Sequence, residues 1–301
     1  MYRILSTDGI AKSAALKLKE LGYEVVEEFY EPEALAQKVK EFDALIVRSA
    51  TKVRAPIIDA AASTGRLKII IRGGVGVDNI DVEYAKSKGI AVANTPNASS
   101  ASVAELAIAH ILALARFVAI ANVTMRAGQW EKKAYKGVEL TGKTLGIIGM
   151  GRIGKETAKR AEALGMKVIY TGRSKKTDVP YEFVDEDTLL KRADFISLHL
   201  PAAKGQPPMV NAEFINKMKD GAYLINTARG ALVDETALLD ALDSGKLAGA
   251  GLDVYQEEPC KNDRLLRHAK VSVTPHIGGT TKEAQDRIGE EIVEIIKNTL
   301  K

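Results

Sequence analysis

The chain has 301 residues, 46% of them hydrophobic, which is enough for two cores because a single core usually stops growing at about 250–300 residues. Its 43 Lys and Arg against 39 Asp and Glu leave a formal charge of +4 spread along the sequence, which excludes a nucleic-acid-binding stripe and leaves small anions as natural partners. The one cysteine, Cys260, rules out an internal disulfide and suits a reducing, cytoplasmic setting.

The chain opens in a strand-like run, Tyr2-Arg3-Ile4-Leu5, with no basic-then-apolar signal segment before it. β-Branched runs at 3–6, 44–47, 68–71, 91–93, 145–149, 167–170, 195–198, 222–226 and 271–273 alternate with helical patterns at 10–21, 31–40, 103–125, 153–164, 211–218, 235–244 and 282–300. Such interleaving predicts parallel βαβ units and an α/β fold. The most apolar stretch, 103–123, carries Glu105, His110 and Arg116, which a membrane span does not tolerate well. It reads as one long buried helix at a subunit interface. His110 and His199 read as packed or loop histidines, and no metal site is expected.

Asn94-Thr95-Pro96-Asn97 and Pro275-His276-Ile277-Gly278-Gly279 break the pattern. The breaks predict two Rossmann-like domains with parallel sheets. One, the dinucleotide-binding domain, covers 96–278. The other covers 1–95 and 279–301, is completed by the C-terminal helix, and binds substrate. A ligand would sit in a cleft between them.

Thr144-Leu145-Gly146-Ile147-Ile148 is a buried strand by composition, and Gly149-Met150-Gly151-Arg152-Ile153-Gly154 follows it and opens a helix. The first glycine permits a tight turn, the second lets backbone approach a pyrophosphate, and the third lets helix and strand pack closely. The N–H groups at the helix start then face the phosphates. The next strand runs into Tyr170-Thr171-Gly172-Arg173-Ser174-Lys175-Lys176. An NAD site places an acid on the ribose diol about 20 residues past the first glycine; none stands there, and Asp178 lies beyond the turn. Arg173, Ser174 and Lys175 would instead hold a ribose 2′-phosphate. Charges about 4 Å apart interact by about 4 kcal/mol at an effective dielectric of about 20, before solvation and salt reduce it. The turn therefore favours NADP without excluding NAD.

Arg229 in NTARG, Glu258 in LDVYQEEP and His276 in TPHIGG supply the groups that carbonyl/alcohol redox chemistry on an acid requires. The guanidinium holds a carboxylate, the imidazole moves a proton, and the carboxylate favours the charged imidazole. Singly, each has a plainer reading: His276 as a cap on the last helix, Arg229 as a surface ion pair, Glu258 as a turn residue before Pro259. Their joint occurrence downstream of the glycine loop favours catalysis.

Together with VRSATKV at 47–53, RGGVGVDNID at 72–81, NTPN at 94–97 and GKTLGIIG at 142–149, these strings make the chain similar to the D-isomer-specific 2-hydroxyacid dehydrogenases over essentially its whole length. VRSATKV and GQWEKK at 128–133 point to the phosphoglycerate branch. The resemblance implies oxidation of 3-phosphoglycerate, or reduction of 3-phosphohydroxypyruvate, in serine biosynthesis. It implies Arg229, Glu258 and His276 as the catalytic residues, and selects Glu258 over Glu257 because the family's glutamate directly precedes the proline. It assigns the substrate carboxylate to backbone at Gly73, Gly74, Val75 and Gly76, and the substrate phosphate to Arg48 and Arg72. Lys132 and Lys133 would reach that phosphate across a homodimer built on the long helix. Val75, Arg152, Ile153, Leu200, Thr227, Ala228, Asp253 and Gly279 would line the cofactor.

Three features depart from that branch. Gly172 stands where an acid is usual, and Tyr-Thr-Gly-Arg resembles NADP-using glyoxylate/hydroxypyruvate reductases, the alternative activity. The usual Thr-rich turn has become Ala202-Ala203-Lys204-Gly205-Gln206-Pro207-Pro208. The chain ends at Lys301, where many phosphoglycerate dehydrogenases carry a regulatory domain, so serine feedback through such a domain is not expected. A third reading, a non-catalytic dinucleotide-sensing interaction protein, is opposed by the lack of long disordered tails.

Overall fold

The structure, a computed structural model, describes residues 1–203 and 205–301; Lys204, in the altered turn at 202–208, lies outside the described residues. The chain divides into two compact units, Met1–Ser99 with Gly279–Lys301, and Ser100–Gly278.

In the first unit, strands β1 (Arg3–Ser6), β2 (Glu24–Glu27), β3 (Ala44–Val47), β4 (Ile69–Arg72) and β5 (Ala91–Asn94) form a parallel sheet in the order β2-β1-β3-β4-β5. All four residues of β3 are buried, as a parallel strand covered on both faces requires. Helices α1 (Lys12–Glu20), α2 (Pro32–Lys38), α3 (Ala55–Ala62) and α4 (Val82–Ser87) connect the strands. Leu35, Ile57 and Ile58 pack with Leu5, Leu45 and Val47 on one side. On the other side, Ile288, Ile292 and Ile296 of the C-terminal helix Lys282–Thr299 pack with Ile4, Ile46 and Ile71. Their four-residue spacing lays one apolar stripe along the sheet.

The second unit holds α5 (Ser100–Ala115), α6 (Val118–Arg126), β6 (Thr144–Ile148), α7 (Arg152–Ala163), β7 (Lys167–Thr171), β8 (Glu182–Phe183), α8 (Glu186–Arg192), β9 (Phe195–Leu198), α9 (Ala212–Lys217), β10 (Ala222–Asn226), α10 (Glu235–Ser244), β11 (Leu247–Leu252), α11 (Asp263–Leu266) and β12 (Val271–Val273). Its parallel sheet has the order β12-β11-β10-β9-β6-β7-β8. The strand order reverses between β6 and β9, and a dinucleotide binds where it does so, at the carboxyl ends of the strands.

The expectation of one helix over 103–125 is corrected. α5 ends at Ala115, whose carbonyl accepts the Val138 N–H at 2.9 Å, and Phe117 turns the chain with φ 55° before α6 starts. No single helix among the described residues is long and apolar enough to cross a bilayer; α5 and α6 reach that length only together, across a 64° bend. Strand β11, LAGAGL, lacks the β-branched residues that mark a strand. Its glycines let α5 lie close: a Cβ on Gly251 would stand 2.6 Å from the His110 Cβ, and one on Gly249 3.0 Å from Leu114.

Candidate active site

The glycine loop between β6 and α7 follows from close packing. Gly149 has φ 101°, and a Cβ there would lie 2.4 Å from the His199 carbonyl oxygen; a Cβ on Gly154 would lie 2.3 Å from the Gly149 oxygen. A Cβ on Gly151 would meet nothing within 4 Å, so open space lies before the first turn of α7. Gly151 offers no side-chain cap to that turn, which leaves its N–H groups to an anion. Arg152 is exposed and Ile153 half-buried. Leu200 and Ala228 pack against the core at the ends of β9 and β10. Beside them, His199 Nδ1 and Thr227 Oγ1 are buried with no partner among the described residues, as polar groups reserved for a ligand would be. The open space, the uncapped helix start and the two unpaired atoms fit a dinucleotide.

After β7, Gly172, Arg173, Ser174 and Lys175 are all exposed. The turn is anchored by the buried Tyr170, whose hydroxyl accepts the Lys176 N–H at 2.7 Å. Asp178 forms an ion pair with Lys155 of α7, and that contact holds its carboxyl below the ordinary aspartate value. The acid nearest in sequence is thus engaged with a lysine, and the turn itself presents only cations and a hydroxyl.

Arg229, Glu258 and His276 come together at the carboxyl ends of β10, β11 and β12. Asn226 fixes the first loop: its Nδ2 donates to the Arg229 carbonyl at 2.8 Å and its Oδ1 accepts the Ala228 N–H at 3.0 Å. Gly230 lies against the next loop, where a Cβ would stand 1.8 Å from the Tyr255 carbonyl oxygen. Glu258 Oε1 accepts the Tyr255 N–H at 3.2 Å, and Oε2 lies 2.7 Å from His276 Nδ1. A carboxylate only accepts, so Nδ1 carries the proton and Nε2 is the nitrogen left for a substrate. Burial pushes the Glu258 carboxyl upward, yet the hydrogen bond and charge of His276, the Tyr255 N–H and the Arg229 charge hold it below its ordinary value. His276 does not cap the last helix; Thr281 does, accepting the Ala284 N–H.

In the first unit, the loop after β4 is built by its neighbours. Asn94 Nδ2 donates to the Val75 carbonyl at 2.5 Å, and the Thr95 N–H to the Gly74 carbonyl at 3.1 Å. Gly73 is buried against Ile288 and the Arg48 stem, and Gly76 is half-buried. The Arg72 guanidinium folds back over this loop, with Nη2 donating to Ser49 Oγ at 3.2 Å and Nη1 3.5 Å from the Gly73 carbonyl. A Cβ on Gly74 would overlap it, at 1.6 Å from Nη1. Gly279 gives its carbonyl to Gln285 Nε2 at 2.8 Å.

The sequence profile described as "D-isomer specific 2-hydroxyacid dehydrogenase, NAD binding domain" matches residues 108–278. The chain belongs to that family. This dehydrogenase is 51% identical to a hydroxypyruvate reductase of Thermotoga maritima, over 98% of this chain and 97% of the relative. It is 45% identical to a D-3-phosphoglycerate dehydrogenase of Methanocaldococcus jannaschii over its full length, but spans only 58% of that longer protein. The solved structure of a protein from Thermus thermophilus superposes with a TM-score of 0.91 at 39% identity, covering 99% of this chain and 96% of the other. The dehydrogenase is therefore an α/β oxidoreductase of hydroxy acids with a nicotinamide cofactor.

One expected cofactor residue has a different setting. Asp253 of the dehydrogenase is 1% exposed, and both carboxylate oxygens are used within the protein: Oδ1 accepts from Thr274 Oγ1 at 2.6 Å and the Ile277 N–H at 2.8 Å, and Oδ2 accepts the Gly278 N–H at 2.8 Å. It holds the loop that carries His276. Thr274 and Tyr255, whose hydroxyl donates to the Thr274 carbonyl at 2.9 Å, were not among the expected residues. The TPH string was the available signal for Thr274; Tyr255 had none beyond its place three residues before Glu258.

Proposed function

We propose that the dehydrogenase is an NADP-linked reductase of short 2-keto acids, with hydroxypyruvate as its main substrate and the D-2-hydroxy acid as product. The observation that carries the reaction is the His276–Glu258 pair at 2.7 Å, close enough to Arg229 for its charge to act on Glu258. When bound, the nicotinamide ring supplies or receives the hydride. In reduction the His276 imidazolium donates its Nε2 proton to the C2 oxygen; in oxidation the neutral ring takes that proton from the hydroxyl. Glu258 stabilises the imidazolium and fixes the ring through Nδ1. Arg229 binds the carboxylate and polarises the C2 oxygen with its planar fork of donors. Gly151, Arg152 and Ile153 would hold the pyrophosphate.

The unphosphorylated substrate is favoured because Arg72, one of two arginines offered for a phosphate, is engaged with its own loop, and because of the 51% identity to a hydroxypyruvate reductase. The second reading, reduction of 3-phosphohydroxypyruvate, rests on Arg48 and the 45% identity to a phosphoglycerate dehydrogenase.

A steady-state panel crossing NADPH and NADH with glyoxylate, hydroxypyruvate and 3-phosphohydroxypyruvate tests these readings. Hydroxypyruvate with NADPH is expected to give the highest kcat/KM, with NADPH preferred by about tenfold or more, as about a third of the charge term at the turn would produce. Faster turnover of the phosphorylated acid would select the second reading. Bound cofactor with no turnover on any of the three would favour a non-catalytic sensor. Gly172→Asp adds a side chain where a Cβ meets nothing within 4 Å and is expected to swing the ratio about tenfold towards NADH. An unchanged ratio would reject the assigned role of that turn.

A homodimer is part of the same reading. Helix α6 buries none of its residues, and Val118, Val123, Met125 and Trp130 are 58%, 62%, 52% and 78% exposed, an apolar surface of the kind an interface covers. Light scattering is expected to give twice the 32.4 kDa chain mass; the single-chain mass at micromolar concentration would reject it.

A further inference from the structure

His276 sits in a backbone conformation that a side chain rarely adopts, with φ 54°. Left-handed backbone at a non-glycine residue persists only where neighbours over-determine it. Here the neighbours form a chain of hydrogen bonds that begins on a different element, at His110 in the middle of α5.

His110 is 2% exposed and uses both ring nitrogens: Nδ1 lies 2.9 Å from Ser272 Oγ and Nε2 3.1 Å from Thr274 Oγ1. The Thr274 hydroxyl has one proton, and it goes to Asp253 Oδ1 at 2.6 Å, because a carboxylate only accepts. Nε2 must then be the donor to Thr274, and Nδ1 the acceptor of the Ser272 proton. Burial, against the opposing pull of the Asp253 charge, pushes the His110 pKa down to about 4, so the ring is neutral and this single tautomer persists at neutral pH. The direction of every bond is thereby fixed. Ser272 donates to His110, His110 to Thr274, and Thr274 to Asp253, which receives the Ile277 and Gly278 N–H groups on the far side of His276. Gly251 makes room for the ring, since any Cβ there would strike it.

We propose that His110 is a positioning residue for the proton-transfer step: it locks the Thr274 hydroxyl onto Asp253, and Asp253 holds the His276 loop so that Nδ1 meets Glu258. The inference rests on the acid–base role of His276 given above. Its test therefore includes a measurement that needs no substrate.

Amide hydrogen exchange is followed by NMR in the full-length protein, with kinetics in parallel. His110→Leu fills the same space without a donor. It is expected to speed exchange of the Ile277 and Gly278 amides at least about tenfold, while the Ala250 amide, bonded to the Lys270 carbonyl, stays unchanged. It should lower kcat about tenfold with the cofactor KM within about twofold, as a small misplacement of a proton donor does. His110→Gln, whose amide can donate to Thr274, should recover most of both losses. Wild-type exchange at Ile277 and Gly278 in His110→Leu overturns the proposal, as does faster exchange with an unaltered kcat. If that variant does not fold, Thr274→Val against Thr274→Ser cuts the same relay at its next member, and equal exchange in those two overturns it. Should the wild-type protein turn over no acid at all, the acid–base reading fails, and the amides alone decide whether the relay holds the loop.

Discussion

Replacing His276 by Asn is expected to lower kcat by about 10²–10⁴-fold, the range supplied by a positioned general acid–base, without weakening cofactor binding. Asn offers no proton at neutral pH, so the C2 oxygen loses its donor while Arg229 and the glycine loop remain. The same change should cost stability at pH 7, because it removes the partner whose hydrogen bond and charge hold the Glu258 carboxyl down. Position 276 lies at φ 54°, and His and Asn both tolerate left-handed backbone better than most residues, so the exchange adds no backbone strain of its own. The pH dependence has a definite sign. Although burial raises it, the Glu258 carboxyl is held below its ordinary value first by the hydrogen bond and charge of His276. A depressed carboxyl contributes stability that is complete above its unfolded value and is lost as pH falls through the folded one. Wild type should therefore lose stability relative to His276→Asn below about pH 4.5, the ordinary value for a glutamate. Melting curves at pH 7 and pH 4, with kcat and a cofactor titration, check this. A kcat within tenfold of wild type would remove His276 from the proton transfer.

Gly230→Ala is expected to be nearly as damaging, with no change of chemistry. The added Cβ would stand 1.8 Å from the Tyr255 oxygen and 1.9 Å from its carbonyl carbon, and backbone cannot swing aside as a side-chain end can. The Arg229 loop and the segment leading to Glu258 must separate, at a cost of about 2–4 kcal/mol in stability and about a hundredfold or more in kcat, because small misplacements of positioned groups are costly. Gly172→Ala is the matching control for stability, since its Cβ meets nothing within 4 Å and should shift the unfolding free energy by less than about 0.5 kcal/mol. An unaltered melting temperature and kcat in Gly230→Ala would show that the two loops are not held together as described.

Much of this site could be read in the residues themselves. The β6–α7 turn was legible because strand, glycine spacing and helix lie within one continuous stretch, and Gly149 and Gly154 each have a local steric reason. Arg229, Glu258 and His276 were legible because their chemistry is distinctive as a set. The parts that escaped depend on contacts distant in sequence. Asp253 sits in a string that suggests a ligand contact, but its carboxylate is consumed by Thr274, Ile277 and Gly278. His110 looks like any packed histidine until Ser272 and Thr274 are seen on its two nitrogens. The break between α5 and α6 is equally invisible, because the Val138 N–H that ends α5 at Ala115 arrives from beyond α6. β11 was missed for the opposite reason: the glycines that make room for α5 erase the pattern by which a strand is recognised.

The open space around Gly172 has a consequence for the history of such enzymes. Glycine and aspartate codons differ by one base, and at this position neither packing nor backbone conformation stands between them. Dependence on one reduced-nucleotide pool or the other would then be a weakly constrained trait, open to reversal by a point mutation without compensating changes elsewhere.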